Sequence, residues 1–204
     1  MSSPLDPLVQ RTRARTNFGV LSHALELLES EVLSTRTGGI YALESLARED
    51  ASARQSVREI LSALVRRRAG VALTQTGARA GHSTPGDVQA ALAVLGRMRR
   101  GDENAPLDLH GISLREAFLP GARFAGALLY DCDLEGALLD GADLSSAWLW
   151  RANLKRVNLD NADLRGADLS GARGLKREQI EAALCDEQTR LPLFEGETAA
   201  WSPR

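Results

Sequence analysis

Residues 107–171, cut in fives, read LDLHG ISLRE AFLPG ARFAG ALLYD CDLEG ALLDG ADLSS AWLWR ANLKR VNLDN ADLRG ADLSG, and this stretch decides the fold. Thirteen consecutive pentads keep register. The third position is Leu in twelve of them and Phe124 in the other, while the first is Ala in nine and otherwise Leu107, Ile112, Cys132 or Val157. A period of five fits neither a helix, at about 3.6 residues per turn, nor the two-residue alternation of a flat strand. Each pentad is therefore a unit that turns the chain by a fixed amount, and the small first and large third residues share one narrow interior.

These residues resemble the pentapeptide-repeat family, whose pattern is A(D/N)LXX. The resemblance implies a right-handed quadrilateral β-helix in which four pentads make one square coil, with first and third positions inward. Thirteen pentads then give 3.25 coils, a solenoid about 16 Å long at the spacing of hydrogen-bonded strands. Cys132, at an Ala position, is expected to be buried and inert.

Upstream, residues 18–106 carry helical periodicity. Leu21, Leu25, Leu28 and Val32 mark one apolar face, Ile40, Leu43 and Ala47 a second, Val57, Ile60, Leu61, Leu64 and Val65 a third, and Val88, Ala91, Leu92 and Leu95 a fourth. Thr84, Pro85 and Asp87 read as the start signal of the fourth helix, with Thr84 as its cap. The Gly/Thr/Ala-rich stretch between the third and fourth helices, which holds His82, reads as a loop. RTGGIYALESLARED, VREILSALVRR and DVQAALAVLG resemble the helical region attached to many bacterial pentapeptide-repeat proteins. Gly38 and Gly39 read as a place of close helix approach. After Gly171, Leu175, Ile180 and Leu184 predict a short helix closing the last coil, because solenoids need covered edges. The family often has GLTxEQL there, and Lys176 stands where Thr would cap. The fold class is thus α+β: a flexible N-terminus (1–17), an α-helical bundle (18–106), a β-helix of about three coils (107–171), and a C-terminal cap helix and tail (172–204) holding Trp201.

Composition narrows the function. The 204 residues carry 25 basic and 27 acidic side chains, so the net charge of -2 gives no global pull toward nucleic acid or anionic membrane. No run is long and apolar enough to span a bilayer, and no signal peptide is visible, which together suggest a cytoplasmic protein. Cys132 and Cys185 form no CxxC, and the histidines His23, His82 and His110 are dispersed. No metalloprotease, nucleophile-elbow, Walker or dinucleotide motif occurs, so catalysis, cofactor and metal are not expected. The second-position carboxylates Asp108, Asp133, Asp143, Asp163 and Asp168 read as wall residues bonding nearby backbone.

Residues twenty apart should sit one above another. On one wall this places Leu128, Tyr130, Trp148 and Trp150 side by side, continued by His110, where the family usually has polar residues; another wall shows Phe118 above Leu138. An exposed apolar patch of this kind marks a contact surface, its occupant a protein partner, a second copy of the chain, or the chain's own helical region. A non-catalytic interaction module is the leading expectation. Pentapeptide proteins that mimic duplex DNA and bind topoisomerases are an alternative. A mimic about 16 Å long needs on the order of nine net negative charges, at one per roughly 1.7 Å. Residues 107–171 hold ten acidic and six basic side chains, a net -4. Nucleic-acid binding through Arg66, Arg67, Arg68, Arg97, Arg99 and Arg100 is the other alternative, weakened by the tendency of helix-end arginines to meet carbonyls and water.

Overall fold

The computed structural model describes residues 7–70, 83–98 and 106–193, with side chains of the first helix described from Asn17 on. The chain divides into two compact units, Met1–Glu59 and Ile60–Arg204. The boundary falls inside a helix, not at the start of the repeats.

In the first unit, α1 (Pro7–Leu28) and α2 (Leu33–Glu49) lead through a 3-10 turn, Ala51–Ala53, into α3 (Arg54–Arg68), which crosses into the second unit. The segment expected to be a flexible N-terminus is helical from Pro7. Ala24 and Leu28 of α1 and Ile40, Leu43, Leu46 and Ala47 of α2 are buried. Leu25 and Val32, expected on the first apolar face, are exposed. Val32 is the N-cap residue of α2, so the spacing that joined it to Leu28 spans a helix break. Close approach is real at Gly39 alone: a Cβ there would lie 2.9 Å from both the Ala24 carbonyl oxygen and Leu27 Cβ, whereas Gly38 faces open space. Asp50 Oδ1 accepts the Ser52 amide (2.9 Å) and so starts the 3-10 turn.

In the second unit the repeats form a coil of twenty residues per turn. Isolated parallel bridges join second positions one coil apart, as in Asp108↔Leu128, Leu128↔Trp148 and Trp148↔Asp168. Bridges, and no extended strands, are assigned among the described residues. The third-position carbonyl accepts the next first-position amide, as from Ala127 to Phe124 at 3.0 Å, closing a tight turn across the fourth and fifth positions. All thirteen fifth positions from Gly111 to Gly171 have positive φ, including Glu116, Asp131, Ser146, Arg151, Arg156 and Asn161. That left-handed residue turns each corner. Every first and third position from Leu107 to Leu169 is buried. The second-position carboxylates and amides hold the wall locally: Asp133, Asp143, Asn153, Asn158, Asp163 and Asp168 each accept the amide two residues on.

Both edges of the coil are occupied. Within the coil a second-position amide donates to a carbonyl 21 residues earlier, as Leu138 does to Ala117 (2.9 Å). The first coil has no predecessor, and the helical segment supplies substitutes. Ser113 donates to Gly70 (3.2 Å), Arg123 to Gly96 (2.9 Å), and Phe118 to Gln89 Oε1 (2.9 Å), while Gln89 Nε2 returns a bond to the Phe118 carbonyl. Gln89 and Gly96 belong to α4 (Gly86–Arg97), whose Val88, Ala91, Leu92 and Leu95 are buried as the periodicity predicted. Thr84 does not cap α4. Its amide and hydroxyl both donate to the Arg115 carbonyl (3.0 and 2.9 Å), and Pro85 takes the N-cap place without a side-chain bond. At the far edge, Leu184 and Arg190 pair with Leu164 and Leu169 as a next coil would. The short α5 (Arg177–Glu181) buries Ile180 and donates Gln179 Nε2 to the Val157 carbonyl. Lys176 precedes α5; its amide donates to Gln179 Oε1 (2.8 Å), half of a capping box, since an ammonium has nothing to accept with. Leu184 is exposed, not buried as its helical spacing suggested. His82, Arg99, Arg100 and Trp201 lie outside the described residues.

Candidate interaction face

The coil register brings the predicted aromatic residues together. Fourth positions of successive coils put His110, Tyr130 and Trp150 into one column: His110 and Tyr130 stack with centroids 4.7 Å apart and planes at 12°, Tyr130 and Trp150 at 5.2 Å and 14°. The spacing follows from coils one strand-width apart, which sets parallel rings at offset-stacking distance. Beside the column run the second positions, with Leu128 half-buried and Trp148 54% exposed. The Arg151 guanidinium carbon lies 5.2 Å from the Trp150 ring centroid, and Arg151 also pairs with Asp131 at 3.1 Å. Phe118 (59% exposed) and Leu138 (38%) are bridged to each other on a different wall, so the seven predicted residues make two patches.

At the N-terminal end of the column His110 Nδ1 lies 2.6 Å from Asp108 Oδ1, and Arg66 of α3 reaches Asp108 Oδ2 at 2.6 Å. Burial opposes ionisation of Asp108, but the bonds from His110 and the His110 and Arg66 charges outweigh it and lower its pKa. Arg68 lies 3.4 Å from Asp87, buried at the start of α4. Arg66 and Arg68 are thus engaged in ion pairs, which weakens the nucleic-acid reading of that run.

Sequence reasoning missed two features. One is an ion cluster on the wall beside the aromatic one: Arg115 bonds Asp133 Oδ2 (3.1 Å) and Glu135 Oε2 (2.6 Å), and Arg156 reaches Glu135 Oε1 at 2.6 Å. Chiefly the Arg115 bond, and then Arg156 and the nearby Lys155 charge, overcome burial and hold Glu135 down at about 2. The twenty-residue offset of Arg115 and Glu135 was the available signal. The other is a cleft of about 860 Å³ where Trp148, Trp150, Asp168 and Ser170 meet Glu187, Gln188 and Arg190; the last three lie beyond the repeat register, so no periodicity pointed to them. Cys132 is buried, its Sγ donating to the Leu109 carbonyl, and burial pushes its thiol up to about 12. Among the described residues no His/Cys/Asp/Glu group is arranged to hold a metal ion, and no helix is long and apolar enough to cross a membrane.

The family model for pentapeptide repeats matches residues 108–145 and 137–173, with eight copies. Among solved structures, the chain is 34% identical to the pentapeptide repeat protein Rfr23 of the cyanobacterium Cyanothece, covering 44% of this chain and 67% of that one, with a TM-score of 0.25. A pentapeptide repeat protein of the Arabidopsis thaliana thylakoid lumen is 24% identical over 43% of this chain and 69% of its own, TM-score 0.27. One from Nostoc is 29% identical over 43% and 68%, TM-score 0.25. No curated protein matches the chain significantly. The kinship rests on the repeat pattern and sequence identity: the chain belongs to the pentapeptide-repeat family.

Proposed function

We propose that this protein is a non-catalytic interaction scaffold: a right-handed quadrilateral β-helix of about three coils, preceded by an α-helical region and closed by a C-terminal helical cap, that binds a protein partner through the Leu128/Tyr130/Trp148/Trp150 wall. The observation that carries this reading is Trp148, 54% exposed beside a stack of three rings in a coil whose inward positions are already filled, mostly by Ala and Leu. An exposed indole flanked by half-buried rings is the kind of surface that protein partners use as an anchor. The DNA-mimic alternative draws no support from this wall, where a duplex mimic needs carboxylates in line and the chain places indoles.

The test is quantitative co-purification from the source cells with wild type and Trp148→Glu, each first shown to melt cooperatively at a similar temperature. A protein recovered stoichiometrically with wild type and reduced at least tenfold with the variant supports the reading. Identical recoveries from two folded proteins reject it.

A further inference from the structure

The aromatic wall carries a second-position carboxylate at each end, with a fourth-position ring beside it at the first end and none at the last. At the first end the second-position Asp108 bonds the fourth-position His110 ring at 2.6 Å, and that ring lies flat on Tyr130 of the next coil. A planar N–H-bearing group is thus held between a carboxylate of its own coil and an aromatic ring of its neighbour. One coil beyond Trp150, the same two positions are Asp168 and Ser170. The carboxylate is present and the ring is reduced to a hydroxymethyl group. That level is the cleft lined by Trp148, Trp150, Asp168, Ser170, Glu187 and Arg190. Asp168 Oδ1 accepts the Ser170 amide (2.9 Å), while Oδ2 lies 3.6 Å from Arg190 Nη1, whose side chain is 75% exposed. This is a loose surface pair of the sort that exchanges at little cost.

We propose that this cleft receives the guanidinium of an arginine side chain from the partner polypeptide, stacked against Trp148 and Trp150 and paired with Asp168 and Glu187 in place of Arg190. The inference rests on the reading of this wall as partner-binding and names the partner's anchor. A guanidinium is planar, stacks on aromatic faces and presents two parallel donors to a carboxylate; indole is the best ring for a cation. A neutral ring would fill the level but bring no charge to either carboxylate, leaving only the loose Arg190 pair to offset their desolvation. The lining carries two carboxylates against one arginine, which favours a cation. On the same wall Arg151 already sets a guanidinium beside Trp150.

Tryptophan fluorescence of the full chain is titrated with N-acetyl-arginine amide and with its citrulline and lysine counterparts. Citrulline is planar and neutral; lysine is charged but not planar. The variants are Asp168→Asn and Ser170→His. Asn serves the local turn at Asn153 and Asn158, so Asp168→Asn keeps the wall, and Ser170→His supplies the missing ring from within. The expected result is a saturable response to the arginine probe, at least fivefold weaker for citrulline and lysine, at least fivefold weaker in Asp168→Asn, and absent in Ser170→His. No saturable response in folded wild type, equal affinity for citrulline, or undiminished binding in both variants overturns the proposal. A partner lost in Trp148→Glu together with no arginine response rejects this inference and leaves the scaffold reading standing. An arginine response that meets these criteria, with no partner recovered, supports the cleft chemistry and rejects the scaffold reading.

Discussion

The residue that turns each corner of this fold is one the repeat does not hold to a single type. All thirteen fifth positions have positive φ, yet six of them are not Gly, so the requirement is conformational and the sequence shows only part of it. The inward Ala and Leu were legible because packing admits little choice; the corners were not, because Asn, Asp, Ser, Arg and Glu reach the same backbone region at a cost of about 1 kcal/mol. Gly141→Ala tests this cleanly: φ is +64° and a Cβ there meets nothing within 4 Å, so the loss in unfolding free energy should be about 1 kcal/mol and purely conformational. Glu135 offers a second test. Its folded pKa of about 2 lies below its ordinary 4.5, so the stability it contributes is present above about 4.5 and is lost as pH falls toward 2. Glu135→Gln should cost on the order of 2 kcal/mol at neutral pH. Its unfolding free energy should also fall less steeply than wild type between pH 5 and 2, measured by urea denaturation across that range.

At the scale of elements, the helices near the coil act as edge covers. A first coil exposes amides that in later coils are paired, and unpaired edges invite association with other chains. Here Gly70, Gln89 and Gly96 receive three of them. Gln89→Ala removes both side-chain bonds to Phe118 and should cost about 1–3 kcal/mol, with faster hydrogen exchange at the Phe118 amide. Gly96 lies in the last turn of α4, where Ala is still a better helix former than Gly; the added Cβ would meet Ala122 Cβ at 2.9 Å, so Gly96→Ala should be less stable than wild type by thermal melting. None of this edge chemistry was legible beforehand. The apolar faces of α3 and α4 were, since period and burial agree there, but the Thr84–Pro85 signal is local and the Arg115 carbonyl outcompetes the helix end for that hydroxyl. Likewise the Leu28–Val32 spacing looked helical across a break that only the chain reversal before α2 reveals.

For the molecule as a whole, a coil whose interior is filled by its inward apolar residues and whose edges are covered has no structural use for the exposed indole of Trp148. Half of the candidate site was legible, because twenty-residue arithmetic placed Leu128, Tyr130, Trp148 and Trp150 on one wall. The acidic and polar side of the cleft was not, because Glu187, Gln188 and Arg190 return to the coil after its register has ended. The most direct measurement is the unfolding free energy of Trp148→Ser against wild type. If the wall is a recognition surface, the two agree within about 0.5 kcal/mol, as for an ordinary surface substitution. A loss of about 2 kcal/mol or more, of the size expected for removing a packed side chain, would make Trp148 part of the fold and contradict the scaffold reading.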